Sequence, residues 1–514
     1  MSLLTTIVNK FKKAVRKTSS NIKIEDVINS AIVSSKMNSA LNLWGSMYED
    51  KAPWLHEPTL QDPTRVASMG IPAFIASEKA RMATLEMKSE ITAPQTEDEI
   101  ASTNERAEFL NKQYQEKVID KIRTQLEYGI AKGGLVIKPY PIIDETNFQN
   151  SQFAFDFIQA DGFYPIAFDN SGKMTEGAFI QRKVDRENVY TRLEHHKLDK
   201  NTVIITNRAF KNDVGQANTI KNISDLGREI PLTAVPEWAN IQPEQQIVNV
   251  DRLLFAYFKM PEANTIDPYS PLGVSGYSRA VGLIKEADKQ YSRLLWEFEG
   301  GELAIDVDRT AMTEQPYYNE EGVLKTKLSM SSLQQRLFRT TNIDASVGDT
   351  YNVFSPALRD VSLINGLNEI LKRIEDTTGL SRGTLSDTNL DAKTATEIIS
   401  SKQRSYSANF DIQKALQKAL EDVVYIMNVY CTLYNITLEG EYAVSFDWDD
   451  SILVNKDEEL NKLIMLMQNG LASKTELRMW YFGETKERAK QALSEIDEEN
   501  KQAMENRLMN DLGG

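Results

Sequence analysis

From residue 393 to about 434, the apolar positions Ile399, Tyr406, Phe410, Leu416, Leu420, Val423, Met427, Tyr430 and Tyr434 recur mostly three or four apart, and no Pro or Gly intervenes. That spacing keeps one face of a helix apolar. Unbroken, the helix would reach roughly 60 Å. This exceeds an ordinary globular helix, so it is expected to cross between modules or to pack between subunits. A shorter helix is expected upstream, over 360–378. Gly379 can take the left-handed conformation that ends it. Beyond it, Ser386, Asp387, Thr388, Asn389 and Asp391 can bond locally to backbone and cap the next helix. The pattern predicts helix, mobile polar loop over 384–391, then the long helix.

Residues 2–17 read as a basic amphipathic helix, with Leu4, Ile7, Val8, Phe11 and Val15 on one stripe and Lys10, Lys12, Lys13, Arg16 and Lys17 around it. Such a helix docks on a membrane or an acidic partner, or it packs on its own protein. Trp44, Tyr48 and Trp54 form an aromatic cluster suited to a core or a subunit interface. Helices are expected over 71–91 and 104–131, the second stopped by Gly133-Gly134, with a polar loop over 92–103 between them. The period then changes to two. Strands are expected over 135–140, 153–159, 163–168, 178–184, 189–195, 202–209 and 251–259, making a mixed or antiparallel β module. After a Pro/Gly-punctuated connector over 261–276, a helix is expected over 277–299. Its Lys285, Lys289 and Arg293 fall at i, i+4 and i+8 and so share a face. This helix and the one over 360–378 flank a short mixed insert over 303–353, and such a pair can run antiparallel as a stalk carrying a knob. A strand over 442–448, helices over 457–468 and 474–480, and a charged helical tail from 485 complete a mixed α+β, helix-dominated fold.

At 514 residues with 41% hydrophobic and 26% charged positions, two to four soluble modules are expected. No apolar run approaches the ~20 residues that cross a bilayer. The N-terminus lacks the apolar core of a signal peptide, so the cytoplasm is the default compartment. The single Cys431 excludes intramolecular disulfides and Cys-based zinc clusters, and its place in the long helix predicts a buried thiol. A net charge of −15 argues against wrapping nucleic acid on a broad basic face.

Candidate chemistry is sparse. There is no phosphate-binding loop and no dinucleotide fingerprint. Gly273-Val-Ser-Gly276 is too tight for a nucleophile elbow. His195 and His196 are neighbours in a strand and face opposite sides, which makes a shared metal an unpromising reading. Asp447, Asp449 and Asp450 lack the Gly and distal Glu of a calcium loop, and a solvated strand end is the reading preferred. Glu297, Glu299 and Glu302 read as a wet acidic helix end. No nucleophile–base or paired-carboxylate constellation emerges. The expectation is a structural or binding protein with no enzyme activity, cofactor or metal.

Several segments, taken in order, resemble the portal (head-to-tail connector) proteins of long-tailed bacteriophages of Gram-positive hosts. They are Trp44-Gly-Ser-Met-Tyr48, Glu127-Tyr-Gly-Ile-Ala-Lys-Gly-Gly134, Ala160-Asp-Gly-Phe-Tyr-Pro165, Tyr190-Thr-Arg-Leu-Glu-His-His196, Ser270-Pro-Leu-Gly-Val-Ser275 with the following Lys285, Asp288 and Tyr291, Gly379-Leu-Ser-Arg-Gly-Thr384, Thr394-Ala-Thr-Glu397, and Phe446-Asp-Trp-Asp-Asp450. No one of them is specific; their order and spacing carry the resemblance.

The resemblance implies a ring, twelve-fold in the capsid, around a DNA channel. It implies an N-terminal wing with the β module (1–270), a first stem helix (271–302), a clip (303–353), a second stem helix (354–379), a tunnel loop (380–392), a long wing helix with its strand (393–454) and a C-terminal crown (455–514). The partners it implies are double-stranded DNA, the terminase large subunit, a neck adaptor, and the major capsid and scaffolding proteins. The place it implies is the portal vertex of the virion, after assembly in the host cytoplasm. Another minor head protein or a scaffolding protein is the alternative. Twelve copies of −15 carry roughly −180, so DNA is held off an acidic wall and touches a few basic side chains, screened within about 10 Å. Channel candidates are Lys285, Lys289 and Arg293 on the first stem helix, and Arg382, Thr384, Ser386 and Lys393 at the loop. The three helix residues are equally suited to pair with acids of a neighbouring subunit.

Overall fold

The computed structural model describes residues 22–23, 34–57, 65–85, 87–94, 104–144, 151–169, 173–185, 188–213, 225–308, 313–319, 321–329, 338–341, 351–387, 395–448, 456–482 and most of 486–498. Two compact units emerge: 1–85 with 89–392 and 407–446, and 86–88 with 393–406 and 447–514.

The first unit opens with strand β1 (Ile22–Lys23) and helices α1 (Ser35–Tyr48) and α2 (Ile71–Thr84). The helix expected over 71–91 stops at Thr84; residues from Met87 to Thr92 form β2, which pairs with a strand some 350 residues later. That partner is invisible to a local pattern, and tertiary pairing overrides the helical spacing. Helices α3 (Glu105–Tyr114) and α4 (Asp120–Lys132) are joined through one π turn at Gln115–Ile119. The reason lies in their core stripe. Leu110, Tyr114, Val118, Ile122, Leu126 and Ile130 are buried at strict four-residue spacing. An α-helix over-rotates by about 40° per four residues, and a wider π turn takes up part of that drift.

The β module comes next: β3 (Gly134–Ile142), β4 (Gln152–Gln159), β5 (Phe163–Phe168), β6 (Met174–Asp185), β7 (Asn188–Asp199), β8 (Thr202–Asp213), β9 (Asp225–Ile230), β10 (Glu244–Val248) and β11 (Ala256–Lys259). Strands β5 to β9 form an antiparallel meander, and β10 shares an edge of β8 with β9. Strand β11 is shorter than the 251–259 expected and pairs with β3, which also pairs with β4. Phe163, Phe179, Leu253, Phe255 and Val136 form one core, and Tyr164, Ala178, Leu193, Phe210 and Leu226 another.

One charged cluster lies inside this module. Lys138 Nζ is 2.9 Å from both Glu194 oxygens, Arg192 reaches Glu194 at 3.2 Å, and His196 Nε2 lies 2.7 Å from Glu194 Oε1. His195 instead meets Glu176 at 2.8 Å, so the adjacent histidines do take different partners. Burial raises the Glu194 carboxyl, but Lys138, the His196 hydrogen bond and Arg192 outweigh it and hold it well below the usual range. Burial holds the His196 imidazole below its ordinary value despite Glu194. Both signs agree. An unfolded His196 takes up a proton as pH falls through about 6.5 while the folded one resists, and the depressed Glu194 loses its stabilisation further down. The melting temperature of the protein is therefore expected to fall between pH 7.5 and 5. In His196→Gln, which keeps a donor toward Glu194, the drop across that window should shrink; an unchanged drop would remove His196 as its source.

The segments around Gly133 and Gly276 meet as backbone. Gly133 takes a left-handed φ of 86°, and Gly276 N donates to Ile130 O at 2.9 Å. A Cβ on Gly133 would stand 2.7 Å from the Val274 carbonyl carbon, so no side chain fits at this crossing. Ser275 is fully buried, its Oγ accepting from Tyr277 N, which suits a turn, not a nucleophile.

Helix α5 (Val281–Gly300) leads into β12 (Ala304–Asp308), β13 (Thr313–Tyr318), β14 (Leu324–Ser329), β15 (Phe338–Thr341) and β16 (Tyr351–Phe354), and these into α6 (Asp360–Thr378). The insert is thus a β unit: a β13–β14 hairpin and a three-stranded sheet ordered β15-β12-β16. Helix α7 (Ala395–Leu433) and β17 (Ala443–Trp448), the partner of β2, come after it. Arg106, 2% exposed, sits against the C-terminal end of α7. It donates to Asn428 Oδ1 at 2.6 Å, Thr432 Oγ1 at 3.1 Å and the carbonyls of Thr437 and Leu438 at 3.0 and 3.1 Å. A cation there complements the negative end of the helix dipole. Cys431 is buried as expected, and burial pushes its thiol up to about 11.

In the second unit, α8 (Lys456–Gln468) packs on α9 (Lys474–Phe482), and most of 486–498 is helical.

Candidate functional site

Helices α5 and α6 pack side by side and antiparallel. Glu297, at the end of α5, accepts from Arg359 N, Nε and Nη2 at 3.0, 3.1 and 2.6 Å, just before α6 begins. Gln290 Nε2 reaches Leu363 O at 3.4 Å further along the pair. Ile284, Ala287 and Leu294 of α5 and Leu367, Leu371 and Ile374 of α6 are buried. Glu297 is buried too, contrary to the wet surface expected of it. The Arg359 hydrogen bonds lower its pKa, and its carboxylate fixes the start of α6.

A second acid roots α5. Asp288, almost fully buried, accepts from Trp54 Nε1 and Met69 N, each at 2.9 Å. Burial raises its carboxyl above the ordinary range, and the Trp54 and Met69 bonds pull it back part of the way. One turn on, Ser292 Oγ donates to Asp288 O and accepts from Ala67 N. The aromatic cluster belongs to the same base: Tyr277 Oη donates to Trp44 O at 2.8 Å, and Tyr48 Oη to Glu127 at 2.6 Å.

The basic stripe is where the spacing puts it. Lys285 and Arg293 are exposed and Lys289 is half-buried. Lys289 pairs with Glu286 at 2.9 Å on its own helix, and Arg293 lies 3.4 Å from Gln290 Oε1. The flanks of the pair are apolar: Trp296 is 65% and Val361 66% exposed, with Phe298, Leu358 and Ile364 also exposed.

Past α6, Gly379 takes φ 76°, and Leu380 N donates to Glu375 O at 3.0 Å, which ends the helix. The first part of the following loop is tied down. Glu375, fully buried, accepts at Oε1 from the amides of Gly383, Leu385 and Ser386 at 3.1, 2.6 and 2.8 Å, and at Oε2 from Ser386 Oγ at 2.8 Å. Asn368 adds a reciprocal pair, accepting from Asp387 N at 2.7 Å and donating to Asp387 O at 3.1 Å. Thr384 is half-buried, its hydroxyl on Ser381 O at 2.6 Å. Ser386, 6% exposed, has its hydroxyl occupied by Glu375. Arg382 is exposed and bonds Asp376 at 2.8 Å, which raises its pKa. Lys393, Thr388, Asn389 and Asp391, with Asp449 and Asp450 of the acidic strand end, lie outside the described residues.

The structure thus brings Lys285, Lys289 and Arg293 onto one helix face, and Arg382, Thr384 and Ser386 into one short turn. It assigns Ser386 an inward role. Sequence reasoning passed over Glu375, Asn368 and the buried role of Glu297. One signal was available: Glu375 falls on the stripe Leu367, Leu371, Ile374, Thr378, where a charge needs buried partners. Among the described residues no group of three metal-ligating side chains occurs, and no helix is long and apolar enough to cross a membrane.

The helical pair thus carries exposed apolar side chains on its flanks and a β insert between its two helices. A family model described as phage portal protein, SPP1 Gp6-like, matches residues 93–505, and the protein belongs to that family. It is a phage portal protein, a structural component of the virion that forms a homo-oligomeric ring with a DNA channel and works in DNA packaging. The family is structural and not enzymatic. No curated protein matches the chain.

Proposed function

We propose that α5 and α6 are the stem of a dodecameric ring at one capsid vertex, that β12–β16 form the clip, and that the turn after Gly379 opens the tunnel loop. Residues 1–270 then belong to the wing, 393–454 to its long helix and strand, and 455–514 to the crown. The clip is the platform for the terminase large subunit and afterwards for a neck adaptor, while the wing and crown meet the major capsid and scaffolding proteins. Assembly takes place in the host cytoplasm.

The observation that carries this reading is the α5–α6 pair itself. It is antiparallel, pinned by the buried acids Glu297 and Asp288, and it exposes a basic stripe on a chain of net charge −15. Lys285, Lys289 and Arg293 give DNA weak, replaceable contacts, with Arg382, Thr384 and Lys393 at the loop. Ser386 acts indirectly, by holding the turn. Such contacts are worth little each in high dielectric, which suits a duplex that must slide.

Cryo-electron microscopy of the purified protein tests the architecture: end-on rings with a central hole and the α5 stripe facing it are expected. Images of solitary particles, or a stripe covered by a neighbouring subunit, would count against it. Replacing Lys285, Lys289 and Arg293 together with Ala should leave rings intact and change packaged DNA yield by about twofold to tenfold. An unaltered yield would assign the stripe to contacts between subunits.

A further inference from the structure

The β module and α7 line an open cleft of about 450 Å³, within the range of sites that hold a ligand or an anchoring side chain. Its floor is apolar: Phe168, Met174, Leu253, Phe255, Tyr257 and Pro271. Its rim is basic. Lys173 donates to Asp251 O at 2.8 Å, and Arg252 is fixed between Asp251 and Asp422 at 3.0 and 2.9 Å, with its guanidinium 4.1 Å from the Tyr425 ring. Lys259 and Lys418 also line the cleft, and neither has an ion-pair partner among the described residues. Four cations against Asp251 and Asp422 leave a local excess of positive charge, on a chain that is −15 as a whole.

We propose that this cleft is a docking site for an acidic peptide segment of a protein partner that inserts one large apolar side chain. Two features of the cleft point to that chemistry. An apolar floor gains by covering carbon surface, which a bare anion does not offer. Two lysines with no acid of their own gain by meeting carboxylates, which a purely apolar ligand lacks. Arg252 is already placed by Asp251, Asp422 and Tyr425, so part of the site is ordered before anything binds, which lowers the cost of association. DNA fits less well. Its phosphates need a broad basic surface, and this rim surrounds a hollow with apolar walls. This chemistry does not rest on the channel assignment, so it can fail while the portal reading stands.

The test uses the full chain as assembled and a fluorescein-labelled probe peptide, Asp-Glu-Ala-Trp-Glu-Asp. Anisotropy is expected to show saturable binding that weakens as NaCl rises. A probe with Gln for its acids, and another with Ala for its Trp, should each bind at least about tenfold more weakly. The double variant Lys259→Glu, Lys418→Glu should lose binding by a similar factor, with ring assembly and melting temperature unchanged. Binding only by the acidic probes regardless of the Trp, competition by a short DNA duplex or by inorganic phosphate, or no binding of any probe, would each overturn the proposal.

Discussion

Replacing Glu375 with Ala is expected to free the turn after α6 without dismantling the ring. Three backbone amides and the Ser386 hydroxyl all end on that one carboxylate. Truncation removes the acceptor they share, and at the buried Ser386 each unsatisfied donor costs about 1–3 kcal/mol. The turn avoids that cost by opening to water. Amide exchange at Gly383, Leu385 and Ser386 should accelerate by about a hundredfold or more, since roughly 2.7 kcal/mol corresponds to that factor. The helical stripe Leu367, Leu371, Ile374 stays packed, so exchange in the middle of α6 should hardly change. Glu375→Gln keeps an accepting oxygen and should fall between the two. Because the turn leads into the proposed tunnel loop, the Ala variant should also retain packaged DNA poorly. Slow exchange at those three amides in Glu375→Ala would show that Asn368 and the chain ends suffice to hold the turn.

Placing charge on the open flanks of the α5–α6 pair should abolish the ring. Trp296 and Val361 are among the most exposed large apolar side chains of α5 and α6, and Phe298, Leu358 and Ile364 are exposed as well. Exposed apolar surface of this kind marks an interaction site. Covering a Trp or Val side chain on assembly contributes about 1.5–3 kcal/mol, repeated at every subunit contact of the closed ring. Trp296→Asp with Val361→Asp removes that gain and adds the cost of burying carboxylates. Mass photometry should then find mostly monomers, while the melting temperature, set by cores these residues do not enter, moves little. Intact rings from the double variant would move the subunit contact elsewhere on the chain.

The helical periods, their stops and the alternation of the β module were legible because they are local. Gly133 and Gly379 end helices through a backbone geometry that Gly alone adopts without strain. The stripes of α4 to α7 repeat every three or four residues whatever lies beyond them. The order of short segments from Trp44 to Asp450 pointed to the portal family for the same reason, since each is a string whose place in the chain is countable. The features hidden from the sequence are long-range. Strand β2 reads as helix because its partner β17 lies about 350 positions away. Glu297 read as a wet surface acid, and the anchoring roles of Glu375 and Asp288 were not legible, because a carboxylate shows its purpose only through its donors. Those donors include Ser386, Arg359 and Trp54, brought in by chain reversal and packing. Spacing along a chain determines which faces are apolar. Which polar groups can give up water without penalty is decided only when the fold delivers their hydrogen-bond partners.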